Sequence, residues 1–423
     1  MKKIFFISRL NIWYVGEKYQ NKTAGNQTMY NTIKGYSDNG YKVLVLSSGV
    51  EKNLDLGLPN VTIKRSFYAT FMQWKNQLFK TKVKEEKKEA KDFEVGKNHR
   101  PYSNMKTLKM WSFFATIEAF LLNLFFRTDV FYGYEFSGVV PAYNVAKIFN
   151  KPIVTRYQGT RLGFFLDNDE QFYACEDTIY AMRLPVDLTV IGDDGTQGDL
   201  VCEKLNISLN NVKLWMNGVD NLENIKLLKR NPSFRERYNI PSDAKIIGSS
   251  NRFDFWKRID RLIDVFSSIA RVNSNIYFVI VGDGPNRAYI ENLAKEKGIY
   301  NRVIFCGALE HEKAVEVIRN SDIYMTMCDY TNLSNSVIEA QVMGVPVVTL
   351  DVGGIKKLIK NGENGYLFST NELDRIPDVV NLLLTNKEEY NRISQNEIEN
   401  AKIQILSWED RMKKEVKAVE ALL

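Results

Sequence analysis

The sequence predicts an α/β protein of two Rossmann-like domains that face each other across a cleft. The chain has 423 residues, more than a single hydrophobic core usually organises. Short apolar runs alternate with helical stretches, an arrangement typical of parallel sheets covered on both faces. The series of strands also starts afresh about halfway along the chain, which indicates two such domains.

The predicted strands form two groups. They are Ile4 to Ile7, Val43 to Leu46, Val130 to Tyr134 and Ile153 to Thr155, then Ile246-Ile247, Ile276 to Val281, Ile323 to Met327 and Val345 to Leu350. A polar stretch from Asn217-Gly218-Val219-Asp220 to Pro232 separates the groups. We therefore place one domain at residues 1–220, with a basic and apolar insertion at about 64–126, and the other at 221–405. Ligands of open α/β sheets bind at the carboxyl ends of strands, so functional residues are expected directly after them.

The charge of the chain is concentrated in one segment. The formal net charge is +6, but residues 60–110 carry 13 Lys and Arg against 5 Asp and Glu, or +8, so the rest sums to about −2. A local basic excess predicts contact with an anionic surface or ligand. Nucleic-acid binders usually spread basic residues over a docking face, so nucleic acid is not the expected partner.

Residues that would indicate a metal or redox centre are few and scattered. The four cysteines lie far apart in the sequence, at Cys175, Cys202, Cys306 and Cys328. This spacing predicts reduced thiols in a cytoplasmic protein. With only His99 and His311, neither a histidine metal site nor a Ser/His triad is expected. The apolar run Ile4 to Ile7 is too short for the core of a signal peptide.

Two segments of the predicted insertion differ in character. Residues 75–100 are rich in Lys and Glu and are predicted to be an exposed helix or a mobile excursion. Trp111 to Phe126 is almost wholly apolar and too short to span a bilayer. Its polar residues Ser112, Thr116, Asn123 and Arg127 recur at helical spacing as one stripe, and Glu118 lies off that stripe. It is either a buried helix, the more ordinary interpretation, or a surface helix that docks on anionic lipid with the basic stretch.

The strongest local constellation follows the first strand of the second domain. Arg252 and Lys257 lie between that strand and an amphipathic helix, so both emerge at the strand's carboxyl end. Two cations there suit a diphosphate, because Arg offers a planar fork of donors and Lys a mobile charge. They would stabilise a departing nucleoside diphosphate more than the bound substrate. Taken alone, the same residues are equally compatible with a solvated helix start.

Two further turns have the features of a phosphate and sugar site. Gly282 and Gly284 end a strand and permit a sharp turn with close backbone approach. The polar loop from Tyr330 leads into a helix whose first amides, near Asn335 and Ser336, could cradle phosphate. Glu339, one turn into that helix, could accept hydrogen bonds from a ribose diol, although a helix glutamate more often faces solvent.

Taken in order, these motifs resemble the retaining glycosyltransferases of family 4, which have the GT-B fold. The resemblance covers nearly the whole chain. The residues that carry it are Gly25 after the opening strand, Asn39-Gly40-Tyr41-Lys42-Val43, Asn217-Gly218-Val219-Asp220, Arg252 with Lys257, Gly282-Asp283-Gly284, Glu339-Ala340, Gly344-Val345-Pro346-Val347-Val348, Gly353-Gly354 and Asn364-Gly365. Ser407-Trp408-Glu409 is similar to the start of the family's closing helix, so residues 406–423 are expected to pack back on the N-terminal domain.

The resemblance implies a role for each matching position. Arg252 and Lys257 would bind the donor diphosphate, with the amides near Asn335 and Ser336 and, from the opposite domain, Gly25 and its loop. Glu339 would bind the ribose. Family members transfer the sugar with retention and without a metal, and the resemblance implies that the diphosphate itself acts as base. No cofactor is therefore expected, and the two-carboxylate logic of glycoside hydrolases does not apply.

The sequence departs from the family pattern at the sugar end. Thr331 stands where the family usually has a second glutamate, eight positions before Glu339, and a hydroxyl cannot pair as a carboxylate does. Gln158 stands where many members have a histidine, and it can orient a hydroxyl without acting as acid or base. We take both as candidate catalytic residues beside Arg252 and Lys257. Tyr134 and Glu135, after a neighbouring strand, are with Gln158 the candidate acceptor contacts.

Three functions compete at this point. The first is transfer of a sugar, most simply from a UDP-sugar, to a glycan or lipid-linked acceptor at the inner face of the cytoplasmic membrane. The second is a catalytically silent nucleotide-sugar-binding subunit of a transferase, suggested by Thr331 and Gln158 together. The third, a nucleotide-sugar epimerase, needs acid and base side chains around the sugar that the sequence does not display.

Overall fold

A computed structural model describes residues 1–12, 27–51, 54–78, 102–329 and 333–423, with the side chains left out at 73–78. The described chain forms two compact units, one containing residues up to Gly218 together with Trp408–Leu423 and the other Val219–Ser407. Most of the Lys/Glu-rich segment at 75–100, predicted to be exposed, lies outside the described residues.

The first unit is a seven-stranded parallel sheet with helices. Its strands are β1 (Lys3–Ser8), β2 (Lys42–Ser47), β3 (Val61–Arg65), β4 (Val130–Tyr134), β5 (Ile153–Tyr157), β6 (Leu188–Gly192) and β7 (Val212–Trp215), in the spatial order β3-β2-β1-β4-β5-β6-β7. Its helices before the unit boundary are α1 (Gln27–Asp38), α2 (Phe67–Leu78), α3 (Met105–Phe126), α4 (Glu135–Phe149), α5 (Asp169–Tyr173), α6 (Glu176–Met182) and α7 (Gly198–Lys204).

The second unit repeats the plan with six parallel strands. They are β8 (Lys245–Ser250), β9 (Ile276–Val281), β10 (Val303–Phe305), β11 (Ile323–Thr326), β12 (Val347–Leu350) and β13 (Tyr366–Phe368), ordered β10-β9-β8-β11-β12-β13. The helices are α8 (Leu222–Leu227), α9 (Phe234–Arg237), α10 (Ile259–Val272), α11 (Arg287–Glu296), α12 (His311–Asn320), α13 (Asn335–Val342), α14 (Ile355–Leu358), α15 (Ile376–Thr385) and α16 (Lys387–Gln404).

Both sheets reverse their strand order once, between β1 and β4 and between β8 and β11. Side chains of open α/β sheets that bind ligands lie just beyond the strand ends at such a switch point. Arg252 follows β8, the helix that carries Glu339 follows β11, and Glu135 follows β4. The topology therefore brings each group of candidates to the predicted edge of its own sheet.

The last helix, α17 (Trp408–Glu420), belongs to the first unit. It packs so closely on α1 that a Cβ on Gly35 would collide with the Met412 side chain. Glu415 of α17 is fully buried and accepts hydrogen bonds from Arg156 Nη1 at 2.8 Å and Tyr132 Oη at 2.6 Å. A second buried arginine, Arg411, pairs with the same carboxylate at 3.0 Å. The ion network fixes this helix under β4 and β5.

Helix α3 corrects two sequence predictions. It begins at Met105, where Asn104 Oδ1 caps the amide of Thr107, and it runs for 22 residues, so it is longer than Trp111 to Phe126 and long and apolar enough to cross a membrane. Two residues of the predicted polar stripe, Ser112 and Asn123, are buried and do not face solvent. Asn123 instead closes the helix end by accepting from the Thr128 amide at 2.8 Å.

Candidate functional site

The turn after β8 is held rigid by the neighbouring turn after β9. The Asn251 amide donates to the Val281 carbonyl and the Phe253 amide to the Asp283 carbonyl, each at 3.0 Å. Gly282 adopts φ +134°, and a Cβ there would collide with the Asn251 carbonyl. This close approach is the physical reason for a glycine, and it fixes the backbone from which Arg252 projects.

Arg252 and Lys257 keep their charged groups near the surface. The Arg252 side chain is 72% exposed and its Nε pairs with Asp254 Oδ2 at 3.1 Å. Lys257 Nζ lies 3.9 Å from the centre of the Trp256 ring. The next arginines differ, because Arg258 and Arg261 converge on Asp329 at 3.2 and 2.7 Å and thereby tie α10 to the end of β11. Binding an anionic ligand would therefore break fewer existing contacts at Arg252 and Lys257 than at Arg258 and Arg261.

A tyrosine that the sequence analysis missed joins the β8 turn to the start of α13. Tyr324 is fully buried on β11, and burial raises the pKa of its phenol well above the usual range. Its hydroxyl accepts from the Ser250 amide at 3.2 Å and donates to Ser336 Oγ at 2.7 Å. The only sequence signal is a tyrosine in the buried strand β11.

The N-terminus of α13 follows this junction directly. Ser334, at the N-cap, makes no capping hydrogen bond with its side chain, and its hydroxyl lies 3.0 Å from Ser336 Oγ. The first amides of a helix have no partner within the helix, and the helix dipole favours an anion there. Asn335 and Ser336 therefore lie where the sequence predicts a phosphate contact.

Glu339 is buried, with only 5% of the residue exposed, although a glutamate on a helix more often faces solvent. Its Oε1 lies 2.7 Å from Nε2 of His311, the first residue of α12. This hydrogen bond raises the pKa of His311, and the charges of Asp220 and Glu312 add to the effect. Sequence reasoning missed the pair because 28 positions separate the two residues.

The carboxyl end of the first sheet brings Tyr134, Glu135 and Gln158 together. Glu135 Oε1 accepts from the Gln158 amide at 2.7 Å, and Gln158 Nε2 donates to Tyr134 Oη at 2.6 Å. Tyr134 is fully buried, so its placement favours orienting Gln158 over direct contact with an acceptor. Glu135 has φ +60°, a strained conformation that is typical of functional sites. Burial raises the pKa of Glu135 to about 7.

Asp194 is a second carboxyl at this end of the sheet, beside the predicted Glu135. A Cβ on Gly159, which has φ +118°, would lie 2.5 Å from Asp194 Oδ2. Asp194 Oδ1 accepts from Thr196 Oγ1 at 2.7 Å, and Thr196 Oγ1 accepts from the Thr160 amide at 2.8 Å. Burial raises the pKa of Asp194 as well. No sequence motif marks this residue.

Two of the predicted site residues, Gly25 and Thr331, lie outside the described residues. The others form two separate groups. One lies in the second unit and contains Arg252, Lys257, Gly282, Asn335, Ser336 and Glu339; the other lies in the first unit and contains Tyr134, Glu135 and Gln158. Over the described ranges, no set of three or more His, Cys, Asp or Glu side chains could hold a metal ion.

Residues 230–400 match the family model described as "Glycosyl transferases group 1". This segment is a glycosyltransferase group 1 domain. It contains Arg252, Lys257 and Glu339, so the nucleotide-side candidates all lie within the matched residues.

One similar protein is the alpha-D-kanosaminyltransferase of Streptomyces kanamyceticus, 29% identical over 167 residues. The alignment covers 40% of this chain and 43% of that enzyme, so the chain spans under half of its length.

Two solved structures are similar over the whole chain. Sucrose-phosphate synthase from Thermosynechococcus elongatus has a TM-score of 0.67 at 16% identity, over 100% of this chain and 99% of that one. Anabaena Alr3699/HepE in complex with UDP has a TM-score of 0.66 at 15% identity, over 100% of both chains. These likenesses confirm the predicted fold class, two Rossmann-like α/β domains of the GT-B type.

Proposed function

We propose that the protein is a glycosyltransferase that moves a sugar from a UDP-sugar to a glycan or lipid-linked acceptor, in the synthesis of a bacterial surface polysaccharide or glycoconjugate. The observation that carries this proposal is the convergence of four features at one edge of the second sheet. They are the exposed Arg252, Lys257, the start of α13 and the buried Glu339. Cations and helix amides bind a diphosphate, and a carboxylate can accept hydrogen bonds from the ribose, so together these groups suit a nucleoside diphosphate.

Each group has a distinct part in the proposed reaction. Arg252 and Lys257 neutralise the charge that develops on the leaving diphosphate, and they act more strongly on the transition state than on the bound donor. The amides of Asn335 and Ser336 contribute at the same phosphates. Glu339 accepts hydrogen bonds from the ribose, for which its hydrogen bond with His311 holds the carboxylate in place.

The sugar end is proposed to work by orientation. Gln158, held between Glu135 and Tyr134, contacts a hydroxyl of the transferred sugar or acceptor, and Thr331 takes a similar part. The anomeric configuration is retained, the departing diphosphate accepts the acceptor's proton, and no metal is needed. The choice of UDP is supported by the UDP bound in the Alr3699/HepE structure.

The proposed location is the cytoplasm, at the inner face of the membrane. The four cysteines are free thiols, as a reducing compartment would leave them. A lipid-linked acceptor would place the enzyme at the membrane surface.

The test is release of nucleoside diphosphate from a panel of nucleotide-sugars mixed with candidate acceptors. Turnover of a UDP-sugar is expected, and Arg252→Ala should lower kcat/KM roughly 100-fold to 1,000-fold. Arg375 is the matched control, since it is 66% exposed and also pairs with a nearby carboxylate, Glu372. Arg375→Ala should retain full activity. UDP binding without release in any mixture would instead favour the catalytically silent subunit, and equal activity of the two variants would refute the site.

A further inference from the structure

Helix α3 has two apolar faces, and the first unit uses only one of them. Leu108, Trp111, Ala115 and Ala119 are buried in the core of the unit. On the other side lie Phe113, Ile117, Leu121, Leu124 and Phe125, which are between 45 and 89% exposed. We propose that these five residues, the outer face of α3, dock on the surface of an anionic lipid bilayer.

The outer face is a continuous stripe. Phe113, Ile117, Leu121 and Leu124 follow one another at intervals of four, four and three residues, the spacing of one side of an α-helix. At 1.5 Å per residue the stripe is roughly 16 Å long. Single exposed apolar residues are ordinary in soluble proteins, but a stripe of aromatic and aliphatic side chains marks an interaction surface.

The charged residues around the stripe are basic, which favours an anionic lipid surface as its binding partner. Lys106 and Lys109 are exposed on the same side of α3, one to two turns before Phe113, and Arg127 is exposed at its far end. Lys147 and Ile148 are exposed at the end of α4, which packs against α3. An apolar stripe with basic residues at its border is the pattern of a helix that lies in an anionic membrane interface.

The acidic residue of α3 is withdrawn from this surface. Glu118 is 9% exposed and accepts from Ser66 Oγ at 2.7 Å and from the Phe67 amide at 3.0 Å. No carboxylate on α3 therefore opposes an anionic lipid. A second copy of the chain fits less well. In an antiparallel two-fold pair, Lys106 and Lys109 of one helix would face Arg127 of the other, and these like charges repel.

The inner face determines that α3 lies along the membrane and does not cross it. Trp111 Nε1 donates to the Ser137 carbonyl at 2.7 Å, and Asn144 donates to Thr116 Oγ1 at 3.3 Å. Crossing the bilayer would break these contacts and remove Trp111 from the core. The helix is thus anchored to the protein on one side and presents the other to lipid.

Vesicle sedimentation of the full chain tests the proposal without requiring the proposed transferase activity. The probes are phosphatidylcholine vesicles with and without about a third of phosphatidylglycerol. The wild-type chain should sediment with the anionic vesicles and much less with the neutral ones. The triple variant Phe113→Ser, Ile117→Ser, Leu121→Ser should bind them roughly tenfold more weakly or worse, because the inserted apolar area is lost. Its unfolding temperature should stay within a few degrees of wild type, since exposed side chains were changed.

Two matched variants separate the apolar and electrostatic parts. Ile403→Ser removes an apolar side chain that is 81% exposed in the second unit, and it should leave vesicle binding unchanged. Lys106→Glu with Lys109→Glu should weaken binding to anionic vesicles, with the difference fading at high salt. The control variant Lys402→Glu with Lys417→Glu changes two exposed lysines away from α3, and it should weaken vesicle binding less.

Equal vesicle binding by the wild type and the triple serine variant would overturn the proposal. Absence of vesicle binding would also overturn it, and a dimer in sedimentation equilibrium that the triple variant dissociates would then assign the outer face to a second copy.

Discussion

Arg252 and Glu135 both follow a strand at the switch point of their sheet, yet their surroundings are opposite. The Arg252 side chain is 72% exposed on a turn held by backbone hydrogen bonds. Glu135 is only partly exposed, and its carboxylate already accepts a hydrogen bond from the Gln158 amide. The proposed nucleotide end, in the second unit, thus presents charge, whereas the corresponding end of the first unit pairs its polar groups with one another. The first arrangement suits binding of an anion, and the second suits precise placement of a neutral hydroxyl.

The largest expected effect concerns the ion network beneath the first sheet. Glu415→Ala leaves Arg156 and Arg411 buried without their carboxylate, so the free energy of unfolding should fall by about 3 to 5 kcal/mol. Arg156 lies on β5, two residues before Gln158, so the sugar end depends on this network. Chemical denaturation of the purified chain measures the loss.

The control is Glu409→Ala on the same helix. Glu409 is 73% exposed and pairs with Lys413, so its removal should cost less than about 1 kcal/mol. Similar losses for both variants would show that the buried network does not fix α17 to the sheet.

The second prediction concerns the pH dependence of stability. Burial raises the pKa of Glu135 from 4.5 to about 7, so the folded chain holds this proton more tightly than the unfolded chain. The contribution to stability is therefore complete below pH 4.5 and is lost as the pH rises to 7, by up to about 3 kcal/mol. Glu135→Gln keeps the acceptor for the Gln158 amide and should remove this decline. The free energies of unfolding of the wild type and the Glu135→Gln variant, measured at several pH values, test this prediction. Parallel pH profiles would show that Glu135 does not cause the decline.

Some residues of the candidate site could be predicted from the sequence and others could not, for a physical reason. Arg252 and Lys257 lie on one turn directly after a strand, and Glu339 matches the family pattern, so these candidates could be named from the sequence. Tyr324 and His311 act through partners on other strands and helices, and no local pattern reveals such contacts. Both parallel sheets could be predicted from their apolar runs, but β3, β6, β10 and β13 were not among the predicted strands. In β3, exposed residues alternate with half-buried ones, so the strand has no apolar run to reveal it.

Helix α3 shows the same limit. Its periodicity predicted a helix, but the polar stripe did not reveal that Ser112 and Asn123 are buried. Polar residues can be buried where they find partners, as Asn123 does with the Thr128 amide, and hydrophobicity alone does not reveal those partners.

The third prediction tests the buried carboxylate at the nucleotide end. Glu339→Gln should weaken donor binding about 10-fold to 100-fold, because hydrogen bonds to a charged group contribute about 1.5 to 3 kcal/mol. The same change should lower the pKa of His311 toward its ordinary value of about 6.5, since the Glu339 contact is the main cause of the rise. Calorimetry and NMR titration measure the two effects. An unchanged His311 pKa would mean that the pair is not formed in solution.

The smallest expected effect compares two buried tyrosines, one at each end. Tyr134→Phe removes the acceptor of the Gln158 amide group and should lower kcat up to about tenfold, with little change in nucleotide affinity. Tyr324→Phe removes the donor to Ser336 and should weaken nucleotide affinity by a similar factor. Steady-state kinetics and UDP titration distinguish them, and identical effects of both variants would remove the proposed division between the two ends.

The central claim is that Arg252 binds the diphosphate of the donor. Calorimetric titration of wild type and Arg252→Ala with UDP and with UMP tests it most directly, because the two ligands differ by one phosphate. The variant should lose far more affinity for UDP than for UMP, so that the advantage of UDP over UMP shrinks about 10-fold or more. Equal losses for the two ligands, or no loss for either, would contradict the account.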